Sequence, residues 1–353
     1  MKIAVVTVHD SANFGSFLQA YALKYVLERD GHEVRFVITR DKEYVRRLFY
    51  NFTLCGEAVK HPVKTLGNYI YGRKKYKLFK KEQECFNEIE ASEISDCDLA
   101  ILGSDEIWNV KVPVFQNPLF YGKNSEKNIA YAVSAGNALP GDFDGFDHIK
   151  ECIRKISAPL ARDENTADVI EEITGHRPEI VCDPTLLAEK DIYIRPFENE
   201  YINRHKCLML YMYEPTPATR KIIIDFARKE GLKIVSVGFC YNWCDYNLLC
   251  APLDFCKALE KAEYVITTTF HGTIYSVINN KKFVSLPISR KTTDILERIG
   301  AGDAMLDFND LTADSLRDKL LGFSLDYSAI NENIRSMREA SVEKLREQIR
   351  GIK

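Results

Sequence analysis

The chain has 353 residues, 46% of them hydrophobic and 28% charged, with a formal net charge of −3. That composition excludes a disordered chain, the charge gives no signal for a nucleic-acid partner, and no apolar run approaches the roughly 20 residues of a membrane helix. The length exceeds what one hydrophobic core usually serves, so two domains are expected.

Strand-like runs alternate with helix-like runs, the pattern of parallel α/β layers. The opening MKIAVVTVHD breaks into His9 and Asp10 after a short apolar run. It lacks the length and the small-residue cleavage site of a signal peptide, reads as a first strand (2–8), and implies a cytoplasmic protein. Residues 16–29 form an almost wholly apolar helix, stopped by Gly31, and 33–39 give the second strand. Strands at 98–103, 128–134 and 179–182 and helices at 146–153 and 164–173 continue the series. Residues 40–81 stand apart, with twelve Lys or Arg against three Asp or Glu and interleaved Tyr and Phe. They read as a solvated helical excursion; the sharper alternative is a basic surface for an anionic or lipid-linked acceptor at a membrane face.

A polar stretch at 188–205 breaks the alternation. The expected division is therefore 1–195 and 196–325, with 326–353 as a C-terminal helix. The second series has strands at 207–213, 233–237, 264–269 and 283–286 and helices at 218–229, 253–262 and 272–279. Apolar residues at 330, 334, 337, 345 and 349 give the final helix one face to pack back on the rest. Two such halves suggest Rossmann-like domains facing across a cleft, with ligands at the carboxyl ends of their strands. The ten cysteines read as buried thiols, with no disulfide expected. The closest cluster, Cys240, Cys244, Cys250 and Cys256, lacks the CxxC knuckle of structural zinc, so no metal is expected.

The strongest local site lies at 264–276, where a strand ends in three threonines and a helix begins at Phe270-His271-Gly272. Free N–H groups and the helix dipole attract anions at such a junction. Gly272 would admit a ligand close to the backbone, Thr269 and Thr273 would add hydroxyls, and His271 would meet the substrate. The competing reading is a capping cluster with a satisfied histidine; the strand-to-helix position favours function. Arg290 and Lys291 follow the next strand as candidate anion clamps. In the first half, Asn13, Ser16 and Gln19 offer neutral hydrogen bonds, for sugar hydroxyls or for helix capping. Asp105 and Glu106 beside Trp108 suit a sugar site equally with a helix N-terminus. Arg162 either reaches the cleft or pairs with Glu164.

Six segments in order, NFGSFLQAYAL, LGSDEIWN, NIAYAVSAG, the Arg-Asp-Glu after Pro159, CDPTLL and TTTFHGTIYSVINNKKFVSLP, resemble the polysaccharide pyruvyltransferase family across about 280 residues. The resemblance implies a glycosyltransferase-B-like fold of two Rossmann-like domains. It also implies phosphoenolpyruvate as donor, a sugar or lipid-linked saccharide as acceptor, a pyruvate ketal as product, and no cofactor. His271 matches the family's catalytic or donor-binding histidine, Arg162 a donor-binding arginine, and Asp105 an acidic cleft residue. Where some members carry an arginine two residues before the histidine, this chain has Thr269, which makes Arg290 the candidate replacement. The alternatives are a nucleotide-sugar glycosyltransferase on the same architecture, or a non-catalytic sugar- or polyanion-binding protein using residues 40–81.

Overall fold

The computed structural model describes residues 1–39, 62–193 and 195–352. Two all-parallel sheets divide the chain. The first contains β1 (Lys2–Val6), β2 (Glu33–Val37), β3 (Glu88–Ile89), β4 (Leu99–Leu102) and β5 (Asn128–Ala130) in the order β3-β2-β1-β4-β5. Single bridges from Val133 to Ala161 and from Ala161 to Ile180 extend it. The second contains β6 (Cys207–Tyr211), β7 (Lys233–Val237), β8 (Tyr246–Leu248), β9 (Tyr264–Thr267) and β10 (Lys282–Ser285) in the order β10-β9-β6-β7-β8. Each order reverses beside its first strand. The switch points therefore lie between β1 and β4, where Val6 pairs with Leu102, and between β6 and β9, where Tyr211 pairs with Thr267. Loops leaving neighbouring strands diverge there and open a crevice at the carboxyl ends. The chain is thus a two-domain α/β protein, as its alternating pattern predicts. Among the described residues no helix is long and apolar enough to cross a membrane.

Six helices bear on the site: α1 (Phe14–Arg29), α2 (Pro62–Gln83), α3 (Glu164–Thr174), α4 (Phe270–Ile278), α5 (Arg290–Arg298) and α6 (Tyr327–Gly351). Helix α1 begins two residues before its expected start because Asn13 caps it, accepting from the N–H groups of Gly15 and Ser16. Its apolar residues enter a core shared by both domains. Phe14 stacks on Phe255 of the second domain, with centroids 4.4 Å apart and planes 13° apart, and packs edge-on to Tyr211. A shared apolar interface of this kind holds two domains in one arrangement.

The basic excursion corrects its solvated reading over part of its length; residues 40–61 lie outside the described residues. In α2, Phe79 is buried, the Tyr71 hydroxyl donates to the Leu248 carbonyl at 2.8 Å, and Lys75 donates to the Gly238 carbonyl at 2.8 Å. The Lys75 ammonium sits 5.4–5.9 Å from the ring centroids of Phe14, Phe79 and Phe239, and burial lowers its pKa to about 8. This face of α2 clamps the second domain. Helix α6 returns to the first domain: Ser341 accepts from the Cys182 N–H at 3.0 Å, and Arg346 forks onto Asp30 through two bonds of 2.7 Å.

Candidate active site

The two crevices meet at His271, in the first turn of α4. Its ring lies against Gly15 in the first turn of α1, so closely that a Cβ on Gly15 would stand 1.9 Å from Nδ1. The absence of a side chain at Gly15 is what lets the switch points approach. Gly15→Ala should therefore displace the His271 ring. Since alanine favours a helix by ~1 kcal/mol over glycine, the variant should keep its fold while losing turnover. Retained wild-type kcat/KM would show that the His271 position is not demanding.

Hydrogen bonds lock the β9–α4 junction internally. Thr269 caps α4, its hydroxyl accepting from the Gly272 N–H at 3.0 Å, and the Thr267 hydroxyl donates to the Tyr211 carbonyl at 2.6 Å. The Thr273 hydroxyl donates to the Thr269 carbonyl and lies 2.8 Å from Ser285 Oγ. A Cβ on Gly272 would fall 2.2 Å from Thr267 Oγ1. The expectation that Thr269, Gly272 and Thr273 face an anion is corrected: their polar groups close the helix start, and the Gly272 vacancy admits Thr267 and Tyr211 rather than a ligand. What the junction presents outward is His271, whose side chain is 12% exposed.

Behind His271 lies a charged core that the periodicity of the sequence did not isolate. Asp183 is fully buried. It accepts from Arg162 Nη1 at 3.0 Å, the Ser104 hydroxyl at 3.2 Å, and the Thr185 N–H and hydroxyl at 3.0 and 2.7 Å. His271 Nε2 is 3.8 Å from its Oδ2, too long for a hydrogen bond but close enough for strong attraction once the ring is protonated. Burial alone would raise the Asp183 carboxyl. The His271 and Arg162 charges and the Thr185 N–H outweigh that and hold it far below the usual carboxylate range. Asp183 is therefore a fixed negative charge.

Arg162 pairs with Asp183, while Glu164 pairs with Arg177 at 2.6 Å. The Arg162 Nε and Nη2 groups are buried without a hydrogen-bond partner, and its guanidinium lies 5.1 Å from the Phe270 ring centroid. An unsatisfied buried donor costs about 1–3 kcal/mol, so these N–H groups are ready to receive an anion. Arg162 lines a small, partly open pocket together with Asp183, Phe270, Lys291, Asp294 and Arg298.

Arg290 is corrected as an anion clamp: its side chain is 71% exposed beside Asp294, 3.8 Å away, and does not line this cavity. The first residues of a helix point about 100° apart. Since α5 starts at Arg290, turning that side chain outward turns Lys291 inward. Lys291 meets Glu106 of the other domain in an ion pair and lies 5.6 Å from the Phe270 ring centroid. Burial would raise the Glu106 carboxyl; Lys291, Arg162 and Asn109 together lower it to about 2.

On the opposing wall, Asp105 adopts φ 75°, a left-handed conformation that is costly for a residue with a Cβ. The Ser16 hydroxyl donates to its Oδ2 at 2.6 Å, and the Glu106 N–H to its Oδ1 at 2.9 Å. Ser16 thus orients the carboxylate, while Asn13 is the helix cap. Two other expected sugar contacts are corrected. Gln19 is fully buried, its amide donating to Thr7 Oγ1 and to the Val8 and Ser16 carbonyls. Trp108 is fully buried, stacks on Tyr121 and donates its indole N–H to the Phe120 carbonyl at 2.9 Å. Gln19 thus ties α1 to the end of β1, and the Trp108 indole is held in the core by Tyr121 and Phe120.

The fold is similar to that of several solved enzymes. A putative UDP-N-acetylglucosamine 2-epimerase from Listeria monocytogenes aligns over 96% of this chain and 90% of its own, with 10% identity and a TM-score of 0.52. The glycosyltransferase SnogD from Streptomyces nogalater aligns over 99% of both chains, with 12% identity and a TM-score of 0.51. UDP-GlcNAc 2-epimerase from Neisseria meningitidis, solved with UDP-GlcNAc, aligns over 99% of both, with 11% identity and a TM-score of 0.52. At such identities the likeness concerns the glycosyltransferase-B-like fold alone. No curated protein matches the chain. The family model described as polysaccharide pyruvyl transferase matches residues 13–290.

Proposed function

Because the chain belongs to the polysaccharide pyruvyl transferase family, enzymes that transfer pyruvate to polysaccharide, we propose that its donor is phosphoenolpyruvate and its product a pyruvate ketal on a sugar. The observation that supports this most is Arg162, a buried guanidinium with two nitrogens that make no hydrogen bond, in the wall of a pocket beside the His271–Asp183 pair. Arg162 and Lys291 would hold the donor's carboxylate and phosphate; Lys291 would exchange Glu106 for the incoming anion.

Phosphoenolpyruvate is an enol phosphate. A proton delivered to its methylene carbon makes a methyl group and leaves positive charge on the neighbouring carbon. A sugar hydroxyl attacks that carbon and gives up its proton, inorganic phosphate leaves with the C–O bonding pair, and a second hydroxyl of the same sugar closes the ketal, releasing its own proton. His271 suits the first step as the proton-carrying side chain that the β9–α4 junction turns toward the crevice, 3.8 Å from Asp183. Asp105, held by Ser16, suits acceptance of the first hydroxyl proton. The donor brings its own leaving group, so the scheme calls on no cofactor. Lipid-linked and free saccharides meet the same requirement at the acceptor.

The test is turnover in deuterated water with phosphoenolpyruvate and a panel of saccharides. Phosphoenolpyruvate should raise the melting temperature, phosphate should appear only with acceptor, and deuterium should enter the product methyl group. Stabilisation by a nucleotide sugar, with no phosphate released from phosphoenolpyruvate, would instead favour a glycosyltransferase.

A further inference from the structure

The second domain presents an aromatic residue to the site that the scheme above leaves unused. Tyr213 lies two residues beyond β6, beside the β6/β9 switch point, and is 49% exposed although its neighbours Tyr211 and Tyr241 are buried. The peptide that leads into it is fixed at both its polar groups: the Tyr213 N–H donates to Thr268 Oγ1 at 3.1 Å, and the Met212 carbonyl accepts from the Tyr241 hydroxyl at 2.8 Å. Its ring is fixed too. It packs edge-on to Phe239 at 5.5 Å, Phe239 stacks on Tyr241 at 6.1 Å and 6°, and Tyr241 stacks on Trp243 at 5.8 Å and 18°. An exposed ring braced in this way loses little freedom when a ligand covers it.

The ring also faces the right chemistry. Tyr213 is tied to Thr268, three residues before His271, and the His271 ring lies against Gly15, whose neighbour Ser16 holds Asp105. Tyr213 and that carboxylate therefore flank one crevice from opposite domains. A pyranose has one face of C–H groups and an edge of hydroxyls. An aromatic face opposite a carboxylate satisfies both at once, as apolar pocket walls with a few placed polar groups do generally.

We infer that Tyr213, braced by Phe239, is the platform on which the acceptor's sugar ring stacks, presenting its hydroxyl edge to Asp105. The inference rests on the pyruvyl-transfer reading for the word acceptor, but not for the binding itself. The ligand class is a neutral pyranose with adjacent free hydroxyls at the end of a saccharide.

Two measurements test it. The chain has two tryptophans; Trp108 is buried in the first domain, and Trp243 ends the aromatic row. Titrating methyl hexosides and methyl N-acetylhexosaminides should therefore change tryptophan emission in the wild type. The change should vanish in Trp243→Phe and shift to about tenfold higher concentration or more in Tyr213→Ala, equivalent to ~1.4 kcal/mol. In the transfer assay, Tyr213→Ala should raise the acceptor KM by a similar factor while leaving the phosphoenolpyruvate melting shift unchanged, and Tyr213→Phe, which keeps the ring face, should restore the KM. No saccharide response in the wild type, or an unaltered affinity in Tyr213→Ala, overturns the platform. A Tyr213-dependent saccharide response without phosphate release from phosphoenolpyruvate would overturn the donor assignment and leave the platform standing.

Discussion

His271→Gln should lose about 10²–10⁴ in the rate of acceptor-dependent phosphate release, the usual worth of a positioned general acid. Its melting temperature should be little changed. The ring makes no hydrogen bond through Nε2, so glutamine forfeits none there, and it fits the space over Gly15 with a similar volume. What is lost is a proton donor. A neutral amide cannot protonate the methylene carbon of an enol phosphate, whereas a histidine ring can carry and deliver a proton there. Phosphoenolpyruvate should still stabilise the variant, because Arg162 and Lys291 remain. Wild-type turnover in His271→Gln would make the histidine a packing residue of the domain interface.

The order of strands and helices was legible because it depends on apolar runs and their punctuation. The β9–α4 junction was legible for the same reason: a buried strand, a capping threonine and an apolar helix follow one another without interruption. What those residues do there was not legible. Thr269, Gly272 and Thr273 have the composition of an anion site, and the same donors serve equally well to close a helix; only the Thr267, Ser285 and Tyr211 contacts decide between the two. Trp108 illustrates the same limit: an indole beside two carboxylates suits a sugar site until its partners prove to be Tyr121 and Phe120 in the core.

Arg290 and Lys291 were separated only by the start of α5, since one residue of helical rotation exchanges which cation faces inward. Asp183 sat in a segment quoted for its family likeness, but a buried carboxylate has no signature apart from its partners, Arg162 and Ser104, which are distant in sequence. Tyr213 was hidden because exposure is a property of the assembled crevice. A cheaper signal was available in Phe239, Tyr241 and Trp243, three aromatic residues at every second position of one loop, whose rings stack in a row.

Asp183→Asn should be the most damaging single change to stability. Breaking a buried ion pair by removing one partner costs about 3–5 kcal/mol, because the other charge stays buried without its counter-ion. Here the nearest carboxylate left to Arg162 would be Asp163, 3.8 Å away and already engaged by Ser134 and Thr166. The pH dependence has a definite sign. The folded carboxyl of Asp183 is depressed below its unfolded value. Its contribution is therefore complete above the ordinary carboxylate range and declines as pH falls through that range toward the depressed value. Wild type should lose this increment on acidification, and the asparagine variant, lacking it already, should have a flatter stability profile on the acid side. The second substitution Arg162→Met separates structure from chemistry. Removing both charges replaces an orphaned ion with apolar volume, so Asp183→Asn/Arg162→Met should recover much of the lost stability. Activity should not return, because the double variant has neither the clamp for the donor anion nor the carboxylate beside His271. Recovery of turnover along with stability would mean that the pair only holds the two domains together, and that the donor is held elsewhere.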